Sequence, residues 1–326
     1  MKKVTALLAS VALVASLTAC GSSSSSSEPK SLDEVKIGAI QLAEHPALDK
    51  AYEGFKDALT EAGIKEDQID FQNAQGDQSN CETIANKFVN DNDDLIYAIA
   101  TPAAQAVKGK TDEIPVVVSA VTDPAAAGLV ESNEEPGGNV TGASDMNPID
   151  QQIDLLTKLV PDAKKVAIMY CSSEDNSIVQ ADLAEKVLKE KGIEVERATV
   201  SESNQISQVT ESLIGKVDAV YIPTDNMLAE GMSQVAAITN ENNLPTIVGE
   251  SNMCENGGMA TYSIDYYELG KMAGTMAVDI LNGKKPAEMP VQYQEADKLQ
   301  LYINTKVADQ LGITIPEDLM KDAETV

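Results

Sequence analysis

From Val35 onward the chain repeats one pattern, an apolar run of strand length followed by a helical stretch. Residues 35–42 (VKIGAIQL), 69–74, 95–100 and 115–121 read as strands, with helices expected near 46–62, 79–91 and 102–108. Continuous apolar strands alternating with helices specify a parallel sheet covered on both faces, since each strand must bury both of its sides. The pattern restarts at residues 165–171 (KVAIMYC) and continues through 194–200, 219–224 and 246–251, with helices near 177–191, 204–214 and 228–241. The two series hold four strands each, so two Rossmann-like α/β lobes of similar plan account for the chain better than one large sheet.

Residues 139–144 (NVTGAS) follow Pro136-Gly137-Gly138 and read as a hinge crossover. A strand at 259–264 leads into a helix at about 266–282 that Asn282-Gly283 closes. Apolar runs at 289–293 and 299–304 and a helix near 305–311 complete the chain. If the first lobe claims the 266–282 helix and the second the C-terminus, the hinge has three crossovers. The expected lobes are then 33–144 plus about 265–290, and 145–264 plus about 291–326.

Ahead of the lobes, Lys2 and Lys3 precede an apolar run ending in Leu17-Thr18-Ala19-Cys20, and Ser22 to Ser27 follow. The run is shorter than the ~20 residues a membrane span needs. It resembles a bacterial lipoprotein signal, with residues 1–19 removed, Cys20 lipidated and residues 20–32 acting as a tether. The expected location is the outer face of the cytoplasmic membrane, or the periplasm or outer membrane in a Gram-negative source, with the lipid as the only membrane contact.

The formal charge is -28, with 52 acidic residues against 24 basic. Nucleic acid and anionic lipid headgroups are poor partners for such a chain, because both reward clustered Lys and Arg. Beyond Cys20 the cysteines are Cys81, Cys171 and Cys254, with no CxxC and a single histidine, which argues against a zinc site. No metal and no cofactor are expected.

Several catalytic motifs are approached and missed. Gly109-Lys110-Thr111 resembles the end of a P-loop, but Ala104 stands where its first glycine belongs. Gly249-Glu250-Ser251-Asn252-Met253 resembles a nucleophile elbow with Met in place of the second glycine, and His45, the lone histidine, falls in the other lobe. No GxGxxG follows the first strand. The acidic run at 90–94 lacks the glycine and terminal glutamate of a calcium loop. A binding role gains by these absences.

Ligands of open α/β sheets sit beyond the carboxyl ends of the strands, beside helix N-termini. Polar clusters fall at such ends in both series: 41–45, 101–103, 122–124, 172–177, 224–226 and 250–252. A cleft between the lobes would gather them. They offer hydroxyls, backbone N–H groups and carboxylates but almost no cations, which suits a zwitterionic amino acid better than a phosphate. In that reading Thr101 to Ala104 or Ser172 to Ser177, including Asn176, hold a carboxylate, and Asp123, Asp145, Asp225 or Glu250 hold an ammonium. Each residue also has a plainer role: Thr101 and His45 precede prolines as helix caps, Asp123-Pro124 is a turn, and Asp225 and Glu250 could be solvated.

In order along the chain, residues 37–59 (IGAIQLAEHPALDKAYEGFKDAL), 98–106 (AIATPAAQA), 115–130 (PVVVSAVTDPAAAGLV), 139–146 (NVTGASDM), 221–226 (YIPTDN), 249–251 (GES) and 261–274 (TYSIDYYELGKMAG) resemble one family. It is the substrate-binding lipoproteins of ABC importers, in the branch related to tryptophan and other aromatic amino-acid receptors. The resemblance implies a type 1 periplasmic-binding-protein fold, capture of an amino acid by lobe closure, and delivery by a monomer to a permease with a cytoplasmic ATPase. It also implies a ligand set of Gln41, Glu44, Thr101, Ala103, Thr122, Asp123, Asp145, Thr224, Asp225 and Glu250. Tyr170, Tyr221, Tyr262 and Tyr266 could line the side-chain pocket or belong to the core.

The chain departs from the family pattern at Cys171. Cys254 lies in the loop after Glu250, so a Cys171–Cys254 disulfide is one open pairing, provided the two Cα atoms come within ~7 Å. A sugar, nucleoside or peptide-signal receptor remains the competing binding role, and a surface-anchored hydrolase is a third class.

Overall fold

The computed structural model describes residues 30–295 and 298–326. The expected signal, Cys20 and most of the tether therefore lie outside the described residues. The chain opens with β1 (Ile37–Gln41), α1 (Pro46–Glu61), β2 (Ile69–Asn73), α2 (Gln78–Asn90), β3 (Leu95–Ile99), α3 (Thr101–Lys108), β4 (Val116–Ser119) and β5 (Val140–Ser144). It crosses over to α4 (Ile149–Leu159), β6 (Lys165–Cys171), α5 (Asp175–Glu190), β7 (Glu194–Val200), α6 (Ile206–Leu213), β8 (Ala219–Ile222), α7 (Asn226–Glu230), α8 (Met232–Glu241), β9 (Thr246–Val248), α9 (Ser251–Glu255) and β10 (Ala260–Ser263). It returns for α10 (Tyr266–Leu281) and β11 (Gln292–Tyr293), then crosses again to β12 (Gln300–Ile303), α11 (Thr305–Leu311), α12 (Glu317–Asp322) and β13 (Ala323–Thr325).

Two sheets result, ordered β11-β5-β4-β3-β1-β2 and β13-β12-β10-β9-β8-β6-β7. The first is parallel throughout. The second is parallel except where β12 pairs antiparallel with β10. That strand arrives from the other lobe and not through a crossover helix, so nothing imposes the parallel direction on it. Both sheets carry the doubly wound order in which the second strand lies outside the first and the third on its other side. In such sheets ligands gather where the strand order reverses, beyond β1 and β3 in one lobe and β6 and β8 in the other.

Strands β1, β3, β4 and β5 are buried along their whole length, as central strands of a parallel sheet covered on both faces must be. Helices α1 and α10 meet backbone to backbone over the first sheet. A Cβ on Gly54 would lie 1.9 Å from the Tyr267 carbonyl oxygen, and one on Gly270 would lie 1.9 Å from that of Ala51. This seam fastens the returning chain to the first lobe.

Three sequence expectations need correction. Residues 140–144 form β5, a buried sheet strand, and not the crossover itself, which follows at 145–148. Gly142 is there because β4 runs too close for a side chain: its Cβ would stand 2.0 Å from the Val118 carbonyl oxygen. The third crossover falls after Tyr293, beyond the boundary expected near 290, because Gln292 and Tyr293 pair with Ala143 and Ser144. Cys171 and Cys254 are both free and buried. Strand β8 separates β6, which Cys171 ends, from β9, and Cys254 lies beyond β9 on α9.

Candidate functional site

Between the lobes lies a small cavity of about 20 Å³. Its first-lobe wall comprises His45 and Leu48 at the start of α1, Ala120 after β4, and Asp145 just past β5. The second-lobe wall comprises Asn176 on α5, Thr224 and Asp225 after β8, Asn226 and Ala229 on α7, and Glu250 after β9. Tyr266, opening α10, closes the hinge side. These are the carboxyl ends of strands at both order reversals, as the fold dictates.

Three carboxylates face this small space, and burial is the first cause of what it does to them. Asp145 accepts hydrogen bonds from the Thr122 hydroxyl at 3.0 Å and the Tyr266 hydroxyl at 3.1 Å, and burial still pushes its carboxyl up to about 6. Asp225 caps α7 by accepting from Leu228 N–H at 2.8 Å, and its other oxygen accepts from Cys171 N–H at 2.6 Å. Burial, and then the neighbouring charge of Glu174, push it up to about 7. Glu250 caps α9 through Asn252 N–H at 2.7 Å and Met253 N–H at 2.9 Å, and burial pushes it up to about 7. None of the ion pairs found among the described residues includes Asp145, Asp225 or Glu250. The cavity carries concentrated carboxyl character and lacks a cation.

Two side chains organise the second-lobe wall: Glu174, within the 172–177 cluster but with no role of its own in the sequence reading, and Gln180, which the sequence does not single out. Glu174 accepts from Asn226 N–H, Met227 N–H and the side-chain amides of Asn176 and Asn226. Gln180 donates to the Thr224 carbonyl at 3.0 Å and accepts from the Thr224 hydroxyl at 2.9 Å. It also reaches across to Thr122 Oγ1 at 3.5 Å. A second bridge between lobes runs from Gln105 Nε2 to Asp175 Oδ2 at 2.7 Å, and a third joins His45 Nε2 to Asn226 Oδ1 at 3.4 Å. The lobes are closed on each other.

The first-lobe wall is shaped by backbone. Ala100, which precedes α3, has φ 80° and ψ 151°, and Ala120 has φ 52°. Both conformations favour glycine, and for alanine each costs about 1–3 kcal/mol, held in place by the surrounding structure. Ala100 is pinned by its N–H to Ser119 O and by its carbonyl accepting from Ala104 N–H, both at 3.0 Å.

Of the residues singled out from sequence, Asp145, Asn176, Thr224, Asp225 and Glu250 line the cavity. Thr122 stands behind it as a partner of Asp145. Gln41, Thr101 and Ala103 are buried nearby without lining it, and the Gln41 Oε1 and Thr101 Oγ1 atoms have no hydrogen-bond partner. Glu44 and Ser172 are exposed, and the Ser172 hydroxyl turns to the Val200 carbonyl. Asp123 is a turn cap, accepting from Ala125 N–H, Ala126 N–H and Asn133 Nδ2. Of the tyrosines only Tyr266 lines the cavity; Tyr170 and Tyr221 are core, and Tyr262 packs at its edge.

Two α/β lobes closing on an acidic, solvent-excluding cleft define a solute-binding protein. The sequence model for ABC transporter substrate binding proteins matches residues 36–326, and the chain belongs to that family. A tyrosine-binding protein of Clostridioides difficile is 44% identical over 313 residues, covering 93% of this chain and 90% of that one. Among solved structures, an ABC domain in complex with L-Trp from Streptococcus pneumonia is 41% identical, with TM-score 0.86 over 90% of this chain and 99% of that one. The ligand-free, open structure of a substrate-binding protein with adhesive properties from Clostridium difficile is 42% identical, with TM-score 0.69 over the same shares. Family and fold are those of extracytoplasmic solute receptors and not of enzymes.

Proposed function

We propose that this chain captures an aromatic amino acid between its lobes and presents it, in the closed state, to an ABC permease with a cytoplasmic ATPase. The observation that carries the reading is the convergence of Asp145, Asp225 and Glu250 on one buried cavity without a cation. A ligand ammonium supplies the missing positive charge, and a desolvated charge of that kind is strongly favoured only when paired. The ligand carboxylate lies toward the start of α3, where the buried Thr101 hydroxyl has no partner. Aromatic character is supported by the relatives, one described as tyrosine-binding and one solved with L-Trp.

The moving bodies are the two sheets with their helices, 33–145 plus about 265–293 against 149–264 plus about 298–326, with Asp145 tied to the first through Thr122 and Tyr266. At nearly equal identity, the chain superposes better on the L-Trp complex than on the open, ligand-free relative, which supports lobe closure as the response to ligand. We assign Cys20 as the lipid anchor and residues 20–32 as the tether of a monomer on the outer face of the membrane. A thermal-shift panel of amino acids, sugars and nucleosides tests the reading. An aromatic amino acid at 100 times its Kd adds about 2.7 kcal/mol to stability. Stabilisation by ribose or adenosine, and by no amino acid, overturns it.

A further inference from the structure

The cavity holds an acceptor that the ammonium site does not use. His45 is the only histidine in the chain, and it lines the cavity at 7% exposure with its Nδ1 buried and without a partner. Its tautomer follows from its neighbours. Asn226 Nδ2 donates to Glu174 Oε2 at 2.6 Å, so the Asn226 amide turns its oxygen toward His45. The histidine must then carry its proton on Nε2 to donate to that oxygen, and burial holds the ring below its ordinary pKa, hence neutral. Nδ1 is left as a bare lone pair, and an unpaired buried acceptor is costly unless a ligand brings a donor.

The surroundings say which part of a ligand that is. His45 and Leu48 lie three residues apart at the start of α1, and Asn226 and Ala229 three apart on α7, so each pair shares a helix face. The His45–Asn226 contact brings the two faces together, with Leu48 and Ala229 as apolar walls. Asp145 and Tyr266 lie at the hinge crossovers instead. Apolar walls beside one neutral acceptor are complementary to an aromatic ring with a polar hydrogen at its edge.

We infer that His45 Nδ1 accepts a hydrogen bond from the ligand side chain and thereby selects aromatic amino acids bearing a ring O–H or N–H over those without one. The inference rests on the amino-acid reading above and specifies its substrate class. Glu174 acts as a positioning residue, since it fixes the Asn226 amide, and with it the His45 tautomer, without lining the cavity.

The test uses isosteres in calorimetric titrations of the mature soluble protein: L-tyrosine against 4-fluoro-L-phenylalanine, and L-tryptophan against 3-benzothienyl-L-alanine. In the wild type the donor-bearing member of at least one pair binds at least tenfold tighter. His45→Phe closes that gap by weakening the donor-bearing ligand while its isostere changes by less than about threefold, and His45→Gln, which keeps an acceptor, restores part of it. The histidine side chain caps no α1 N–H but does bridge the lobes to Asn226, so the unliganded melting temperature is recorded beside each titration to separate folding from recognition. Equal affinities within both pairs, or equal loss of both members in His45→Phe, overturn the inference while leaving amino-acid capture standing. Failure of every amino acid to bind the wild type sinks both.

Discussion

The two walls of the cleft hold their acidic groups by different means. In the second lobe, Asp225 and Glu250 are fixed by backbone N–H groups that serve as helix caps, so their positions are tied to the fold itself. In the first lobe, Asp145 is held by two hydroxyls, which can rotate, and His45 keeps a nitrogen with no partner at all. One wall is therefore built rigid and charged, and the other is left for the ligand to complete. A receptor that must bind and release gains from this division, because closing is favoured only when a ligand satisfies the incomplete wall.

The sharpest way to break that contrast is to remove a second-wall carboxylate. Asp225→Ala strips the α7 cap, leaves the Cys171 N–H buried without an acceptor and removes an ammonium partner. We expect about 2–3 kcal/mol of lost stability and at least a hundredfold weaker amino-acid binding, read by thermal unfolding and calorimetry. Glu250→Ala should follow in the same direction. An Asp225→Ala protein that melts and binds like the wild type would falsify the cap-and-charge role of this wall.

Acidity gives the next largest effect. Asp145 sits at about 6 and Asp225 and Glu250 at about 7, all above the ordinary carboxyl values of 3.8 and 4.5. A carboxyl raised in the folded state contributes stability that is complete below its unfolded pKa and lost as pH rises through its folded pKa. The unliganded closed form should therefore lose about 2 kcal/mol or more between pH 5 and pH 8, at about 1.4 kcal/mol per pH unit and group before the cleft opens and rehydrates them. Small-angle scattering should show the unliganded radius growing over that range while the liganded radius stays constant. Growth on acidification instead would reverse the sign and refute the account.

Asp145→Asn sharpens the comparison from the other side. Its partners are hydroxyls on separate oxygens; one can still donate to the amide oxygen and the other can rotate to accept from the amide NH2, so the unliganded protein keeps or gains stability while binding weakens about tenfold. Measured together with Asp225→Ala, it separates a carboxylate held for the ligand from one that also holds the fold. A loss of stability as large as that of Asp225→Ala would erase the distinction between the walls.

The strand series of both lobes was legible because most of its strands are apolar runs, a pattern that survives without tertiary information, whereas helix α4 was not foreseen. Strand β5 was not, since Gly142 reads as a flexible break until β4 is seen pressing against it. The carboxylates at strand ends could be found from sequence, as Asp225 and Glu250 fall where helix caps and ligands both belong. Asp123, with the same signature, turned out to brace Asn133 and its own turn, and nothing local distinguishes it from Asp225. Glu174 and His45 fell within strand-end clusters the sequence marked, but their roles, like the whole of Gln180's, exist only once distant strand ends meet.

The smallest expected effect probes the strain in the first wall, which the sequence conceals because the strained residues are alanines. Ala100 holds φ 80° and ψ 151°, a region natural to glycine alone. Ala100→Gly relieves that strain but loosens the unfolded chain by about 0.5–1 kcal/mol, so the two terms oppose each other. With strain of about 1–3 kcal/mol, relief wins, and the unliganded protein should gain about 1 kcal/mol with affinity changed less than threefold. Chemical denaturation decides the sign. A destabilised Ala100→Gly protein would mean that the alanine methyl packs better than the strain costs, and the first wall would then be shaped by its side chains as the second one is.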